Sequence, residues 1–218
     1  MDIVEEIKFP STNKDWVKKV LIGGILNIIP IVNFLSSGYN LKVMKKGIEG
    51  NSEMPEWEDW GNLFVRGLIA FIITLVYLLI PIIVLLISLG GIVFAVLSAA
   101  LSGDMSMAIG AIGGAIGGIL ISLVLMLILG FLIPMALSMY IKEDNISAAF
   151  RFGEVLSRIG SVFGDYLTVF IVLIVLWIIL GIFSFVPILG FLIMIFGGFY
   201  IAVVGANMFG KVYAKSTI

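Results

Sequence analysis

Four apolar blocks, residues 20–35, 63–101, 107–141 and 167–209, decide what this chain can fold into. Each is at or near the length of about 20 residues that spans a bilayer as a helix. Over the 218 residues, 61% are hydrophobic and 12% are charged, with a mean hydropathy of +1.21. A soluble domain carries about 25% charged residues, so the composition excludes a soluble fold. The expected class is all-α: a polytopic transmembrane helical bundle forming a single integral membrane domain over 1–218. The formal net charge of -1 says nothing about nucleic acid, but the absence of a basic stripe able to track a phosphate backbone argues against such a partner. The chain has no Cys and no His, which removes disulfides, zinc centres, Cys nucleophiles and His general bases. The opening MDIVEEIKFP is acidic and precedes no small-residue cleavage site, so the first span is expected to act as its own insertion signal.

The longest polar interval between apolar runs is GNSEMPEWEDWGNLFVRG, residues 50–67. It gathers Glu53, Glu56, Glu58 and Asp59 around Trp57 and Trp60. Their i,i+3 spacing puts both indoles on one side of a short helix, which suits a headgroup layer where the ring is half buried and its polar edge stays wet. Arg66, at the mouth of the next block, is expected to lay its stem along lipid and reach back to the surface. Residues 47–61 therefore read as a cytoplasmic Pro-Glu-Trp segment that anchors at the membrane surface.

Taken in order, residues 2–9 suggest a short surface helix with Ile3, Val4 and Ile7 on one side. From Lys14 to Lys46 lysines flank both ends, and Pro30 and Asn33 mark a break in the middle. A single span would put these lysines on opposite sides. A hairpin bent at Pro30 puts them on one side, as the positive-inside rule prefers, and a re-entrant loop is the third option, because each arm holds only about 15 residues. Block 63–101 is too long for one untilted span, with a kink expected at Pro81 and the end of the span at Gly90-Gly91. In block 107–141, Gly110, Gly114 and Gly118 recur at i, i+4, i+8, a stripe expected to let a second helix approach closely; the alternative is a flexible glycine-rich turn. Residues 144–163 form a predicted cytoplasmic amphipathic helix, capped by Asp144 or Asn145, with Arg151, Glu154 and Arg158 on its polar face. The last block breaks at FVPILG, which is similar to IIPIVNFL at 28–35. Either hairpins are duplicated or Pro-Ile twice makes a good outer turn.

A count of crossings then follows. With six spans and the N-terminus inside, every one of the 13 Lys and Arg falls on the cytoplasmic side, and Asp104 is the outer charge. Trp16, Trp60, Tyr140, Tyr166 and Tyr213 sit at inner helix ends as an aromatic belt. The expected location is the cell membrane, with both termini cytoplasmic.

The stretches MPEWEDWGNLFVRG, AAFRFGEVLSRI, GDYL, VPILG and GKVY, with the early PSTNKDWVKKVLIGG, together resemble the domain-of-unknown-function 4013 family of small multi-pass membrane proteins. The resemblance covers about residues 5–213, and its most specific part is Pro-Glu-Trp-x-x-Trp-Gly. It implies a membrane protein without an assigned activity, and it adds no catalytic residue.

No carboxylate lies deep in an apolar block, which counts against an ion-coupled pump. Asn27, Asn33, Tyr39 and Asn40 are candidates for a polar cavity, although asparagines in lipid also serve to bond one helix to another. No catalytic, metal-binding or cofactor-binding residue is identified, and an enzyme is not expected. Two classes remain. One is a scaffold or accessory subunit that engages headgroups of the lipid bilayer, a membrane-protein partner or a homo-oligomer at its cytoplasmic face, with Arg151 and Arg158 each contributing about 1 kcal/mol near an anionic surface. The other is a passive conduit for lipid or small solutes.

Overall fold

The computed structural model describes residues 2–103, 105–184, 186 and 189–218. Asp104, expected as the outer charge, and the break at Pro187 lie outside the described residues. Asp2 caps α1 (Ile3–Lys8) by accepting from the Val4 and Glu5 amides, and a 3-10 turn, Phe9–Thr12, carries Pro10 in its first turn. Next come α2 (Trp16–Ile28) and α3 (Asn33–Ile48). The chain turns between them around Pro30, with Ile31 in the left-handed region at φ 71°. Residues 51–59 hold no helix. The long helices are α4 (Trp60–Ser102) and α5 (Met105–Glu143). After Asp144 a 3-10 turn, Ile146–Phe150, leads to α6 (Phe152–Ser161), α7 (Phe163–Phe183) and α8 (Leu189–Lys215). Among the described residues there is no strand.

Among the described residues the chain is all-helical, and four helices are long and apolar enough to cross a bilayer: α4, α5 from Ile112 to Glu143, α7 and α8. At 13 and 16 residues, α2 and α3 measure about 20 and 24 Å, short of the roughly 30 Å hydrocarbon core. By length alone, then, four spans stand where six were expected. Through Pro81 and Gly90-Gly91 the chain stays in one helix, α4, and leaves it at neither point. In lipid no water competes for the backbone, so continuing the helix is the way to keep its amides bonded.

Two compact units are present, 1–73 with 134–218, and 74–133. In the first, α8 is the centre: residues 203–210 are all buried, so this helix is enclosed on every side. It packs against α1, α2, α3 and α7. Ser36 Oγ donates to the Gly23 carbonyl at 2.8 Å and ties α3 to α2, the kind of cross-helix hydroxyl bond that serves where lipid offers no hydrophobic drive. At the α3–α4 crossing a methyl group on Gly38 would overlap the Leu63 carbonyl, and one on Gly67 would overlap the Phe34 carbonyl. Only glycine allows the two backbones to come this close.

In the unit 74–133 the glycine stripe does not pack as expected. A methyl group on Gly110 or Gly114 would meet open space, and Gly118 alone of the three comes close to another side chain, that of Ser88. An i, i+4, i+8 spacing puts the three on one face but does not place a helix opposite it. The close contact here is polar instead: Ser122 Oγ donates to the Pro81 carbonyl at 2.7 Å.

Candidate functional site at the charged pole

Pro55 fixes its own φ and drives Met54 away from helical backbone, so the Pro-Glu-Trp segment enters α4 as an extended strap. The short helix expected under Trp57 and Trp60 does not form. The two rings meet nonetheless, 5.7 Å apart, because α4 starts at Trp60. Trp57 stacks on Tyr39 of α3 at 4.1 Å and donates its Nε1–H to the Lys19 carbonyl at 3.1 Å. Tyr39 Oη donates to the Pro55 carbonyl at 2.8 Å, Lys19 Nζ to the Met54 carbonyl at 2.9 Å, and the Met54 amide to Asn13 Oδ1 at 2.8 Å. The strap is thus clamped to the α2–α3 hairpin.

Its carboxylates are paired with lysines of that hairpin, Lys19 with Glu56 at 2.6 Å, Lys42 with Glu58 at 3.0 Å and Lys46 with Glu53 at 3.8 Å. The Lys19 side chain is 7% exposed and that of Glu56 is 72% exposed. A buried ammonium has to be compensated, whereas exposed pairs contribute little, so Lys19 is the pair that matters here. Its hydrogen bond holds the Glu56 carboxyl below the ordinary carboxylate range.

The expected helix 144–163 is broken. Asp144 takes a left-handed φ of 53°, Asn145 caps the 3-10 turn through the Ser147 amide at 3.0 Å, and Arg151 at φ -80°, ψ 70° separates that turn from α6. The Arg66 guanidinium pairs at 3.0 Å with Asp144, whose side chain is exposed, and bonds Asn62. Arg151 bonds Glu143 and, at 2.8 Å, Glu154. Arg158 meets Glu154 at 2.9 Å, donates to Ser216 at 3.2 Å and lies 4.9 Å from the centre of the Tyr213 ring. Each arginine therefore has a carboxylate partner within the fold. On α6 Phe152 is 47% and Leu156 56% exposed, next to the exposed Ser157 and Ser161, while Val155 and Ile159 are buried.

The proposed polar cavity does not assemble. Asn27 is exposed on α2, whereas Tyr39 is buried and bonded to the strap. Asn33 and Asn40, seven residues apart on one face of α3, each bury an Oδ1 without a partner. Sequence reasoning missed the polar cluster that does form. Glu6 of α1, expected on the surface, is buried against Asn207 and Lys211 of α8, and Tyr200 Oη donates to the Ile7 carbonyl at 2.8 Å. Asn207, a lone amide in the most enclosed helix, was the available signal.

The model of the family described as Protein of unknown function (DUF4013) matches residues 22–189. The chain belongs to the DUF4013 family. No curated protein and no solved structure matches it. The DUF4013 match takes in the strap, both partners of the Trp57–Tyr39 stack and the Arg66–Asp144 and Arg158–Glu154 pairs. Glu6, Asn207 and Lys211 fall outside the matched range.

Proposed function

We propose that this DUF4013 protein is a non-catalytic scaffold or accessory subunit of the cell membrane, acting through one cytoplasmic polar face. In this reading both termini, 47–61 and 142–165 face the cytoplasm and the whole chain works as one membrane domain. The α2–α3 hairpin, broken at Pro30, enters and returns on that side, so that it and the four long helices give six membrane-embedded helices. The observation that carries the proposal is the outward apolar face of α6, Phe152 and Leu156, beside arginines that Glu143 and Glu154 already satisfy. An interfacial helix dips such residues into the headgroup boundary while its charges stay at the surface. A spin label at Leu156→Cys in nanodiscs should report a depth at that boundary, and a fully water-exposed label would count against anchoring. Ser52→Cys should resist an impermeant maleimide added to intact cells, while Ser102→Cys should react; the reverse pattern would overturn the orientation.

A passive conduit is the second reading, favoured by the unpartnered Asn33 and Asn40 oxygens, since polar groups lining a path are how pores select. Proteoliposomes separate the two. The scaffold reading expects lipid scrambling and solute leak no faster than in empty vesicles. Rapid permeation that disappears with Asn33→Leu/Asn40→Leu would replace the scaffold by the conduit.

A further inference from the structure

The side chain that α1 buries is a carboxylate, Glu6, while Ile3 and Val4 stay exposed. A helix docked by hydrophobic burial turns its branched side chains inward; this one offers its charge. Lys211 Nζ donates to both Glu6 oxygens at 2.7 and 2.9 Å, and Asn207 Nδ2 donates to Glu6 Oε2 at 2.7 Å. The fit is incomplete, however, because Asn207 is fully buried and its Oδ1 has no partner among the described residues. An ionised carboxylate has only acceptors and cannot serve that oxygen. A phosphate monoester carrying one proton could, since its oxygens would accept from Lys211 and Asn207 Nδ2 while its O–H donates to Oδ1. A cleft of about 400 Å3 lined by Glu6, Gly47, Gly50, Lys211, Ala214 and Lys215 opens beside these groups. Gly47, on the wall of this cleft, packs on Asn207 behind it: a methyl group there would lie 2.7 Å from the Asn207 carbonyl oxygen and 3.3 Å from its Oδ1.

We propose that Asn207 and Lys211 form a binding site for a phosphate monoester, and that Glu6 is its tethered occupant. The inference goes beyond the scaffold reading and stands without it, because it concerns only α1, α8 and the end of α3. Entry of the phosphate displaces Glu6, and α1 swings out on the buried Phe9 and Pro10. Release gives up the half-buried Ile7 and the Tyr200 bond to its carbonyl, but not Ile3 or Val4, which stay exposed. A tethered competitor acts at an effective concentration in the millimolar range, so the site is masked in the wild-type chain and unmasked when Glu6 is removed.

The test uses the full chain in phosphatidylcholine nanodiscs, titrated calorimetrically with inorganic phosphate. Glu6→Ala should bind about tenfold or more tightly than wild type, and Glu6→Ala/Lys211→Met should lose the gain. Sulfate, which has no O–H at neutral pH, should bind Glu6→Ala about tenfold more weakly than phosphate. Affinity unchanged by Glu6→Ala, a gain that survives Lys211→Met, or equal binding of sulfate would overturn the proposal. If Glu6→Ala does not fold, a spin label at Val4→Cys in the otherwise native chain decides. Mobility gained on adding inorganic phosphate identifies a soluble source, and mobility gained in nanodiscs doped with phosphatidic acid identifies a lipid headgroup. A label that stays immobile in both overturns the site.

Discussion

The Trp57 indole lies on the Tyr39 phenol with ring centroids 4.1 Å apart and planes inclined by 15°. That stack, with the phenol's bond to the Pro55 carbonyl, makes the strap part of the fold instead of a free surface anchor. Tyr39→Phe keeps the stack but strands a carbonyl acceptor, and should cost about 1–3 kcal/mol. Trp57→Ala removes both the ring and the bond to Lys19, and should cost about 3–5 kcal/mol. Unfolding in mixed detergent micelles should rank them in that order, and equal losses would deny the stack its role.

Acid should loosen the strap through Glu56. Its folded carboxyl is held below the unfolded value, chiefly by the Lys19 hydrogen bond, so the stabilisation is present above about pH 4.3 and is lost as the pH falls through the lower folded value. Hydrogen exchange at residues 51–59 should accelerate across that acid window in the wild type. In Glu56→Gln the part of the acceleration due to this pair should be gone, and an unchanged profile would show that other carboxylates govern it.

How much of this was legible in the sequence varies by element. The long helices were, since apolar length alone demands them, and so was the break at Pro30. The strap was misread because an i,i+3 pair of tryptophans suits a helix, whereas Pro55 and the clamp from Asn13, Lys19 and Tyr39 hold the backbone extended. Glu6 and Asn207 are 201 positions apart, and no local pattern announces a pairing at that separation. The Glu154–Arg158 pair was legible at i,i+4, whereas the contacts of the two arginines with Glu143, Tyr213 and Ser216 were not, as those residues lie off the pattern that defined the amphipathic face.

Glycine spacing was likewise informative about faces and silent about neighbours. Gly38→Ala should cost about 3 kcal/mol or more, because the added methyl meets the Leu63 backbone carbonyl, which no rotamer change can relieve. Gly114→Ala adds its methyl to open space and should be neutral or slightly stabilising, since glycine inside a helix is worth roughly 0.5–1 kcal/mol less than alanine. Thermal denaturation in detergent reads both, and comparable losses would restore a packing role for the 110–118 stripe.

Glu154 is the counter-ion of two arginines at once, 2.8 Å from Arg151 and 2.9 Å from Arg158, and its side chain is largely buried together with that of Arg158. Reversing Arg158 to Glu therefore sets two carboxylates against each other, strips the cation from the face of Tyr213 and frees the Ser216 hydroxyl. The loss should reach about 3–5 kcal/mol, the range for breaking a buried pair by removing one partner. Arg151→Glu, at a far more exposed side chain, should cost much less, because water and salt screen an exposed pair. The double reversal Glu154→Arg/Arg158→Glu restores opposite charges at this spacing and should recover part of the loss, although Arg151 then faces a like charge. A double-mutant cycle on unfolding free energies measures the coupling directly. Coupling near zero would mean that the ring and the serine, and not the carboxylate, hold Arg158 in place.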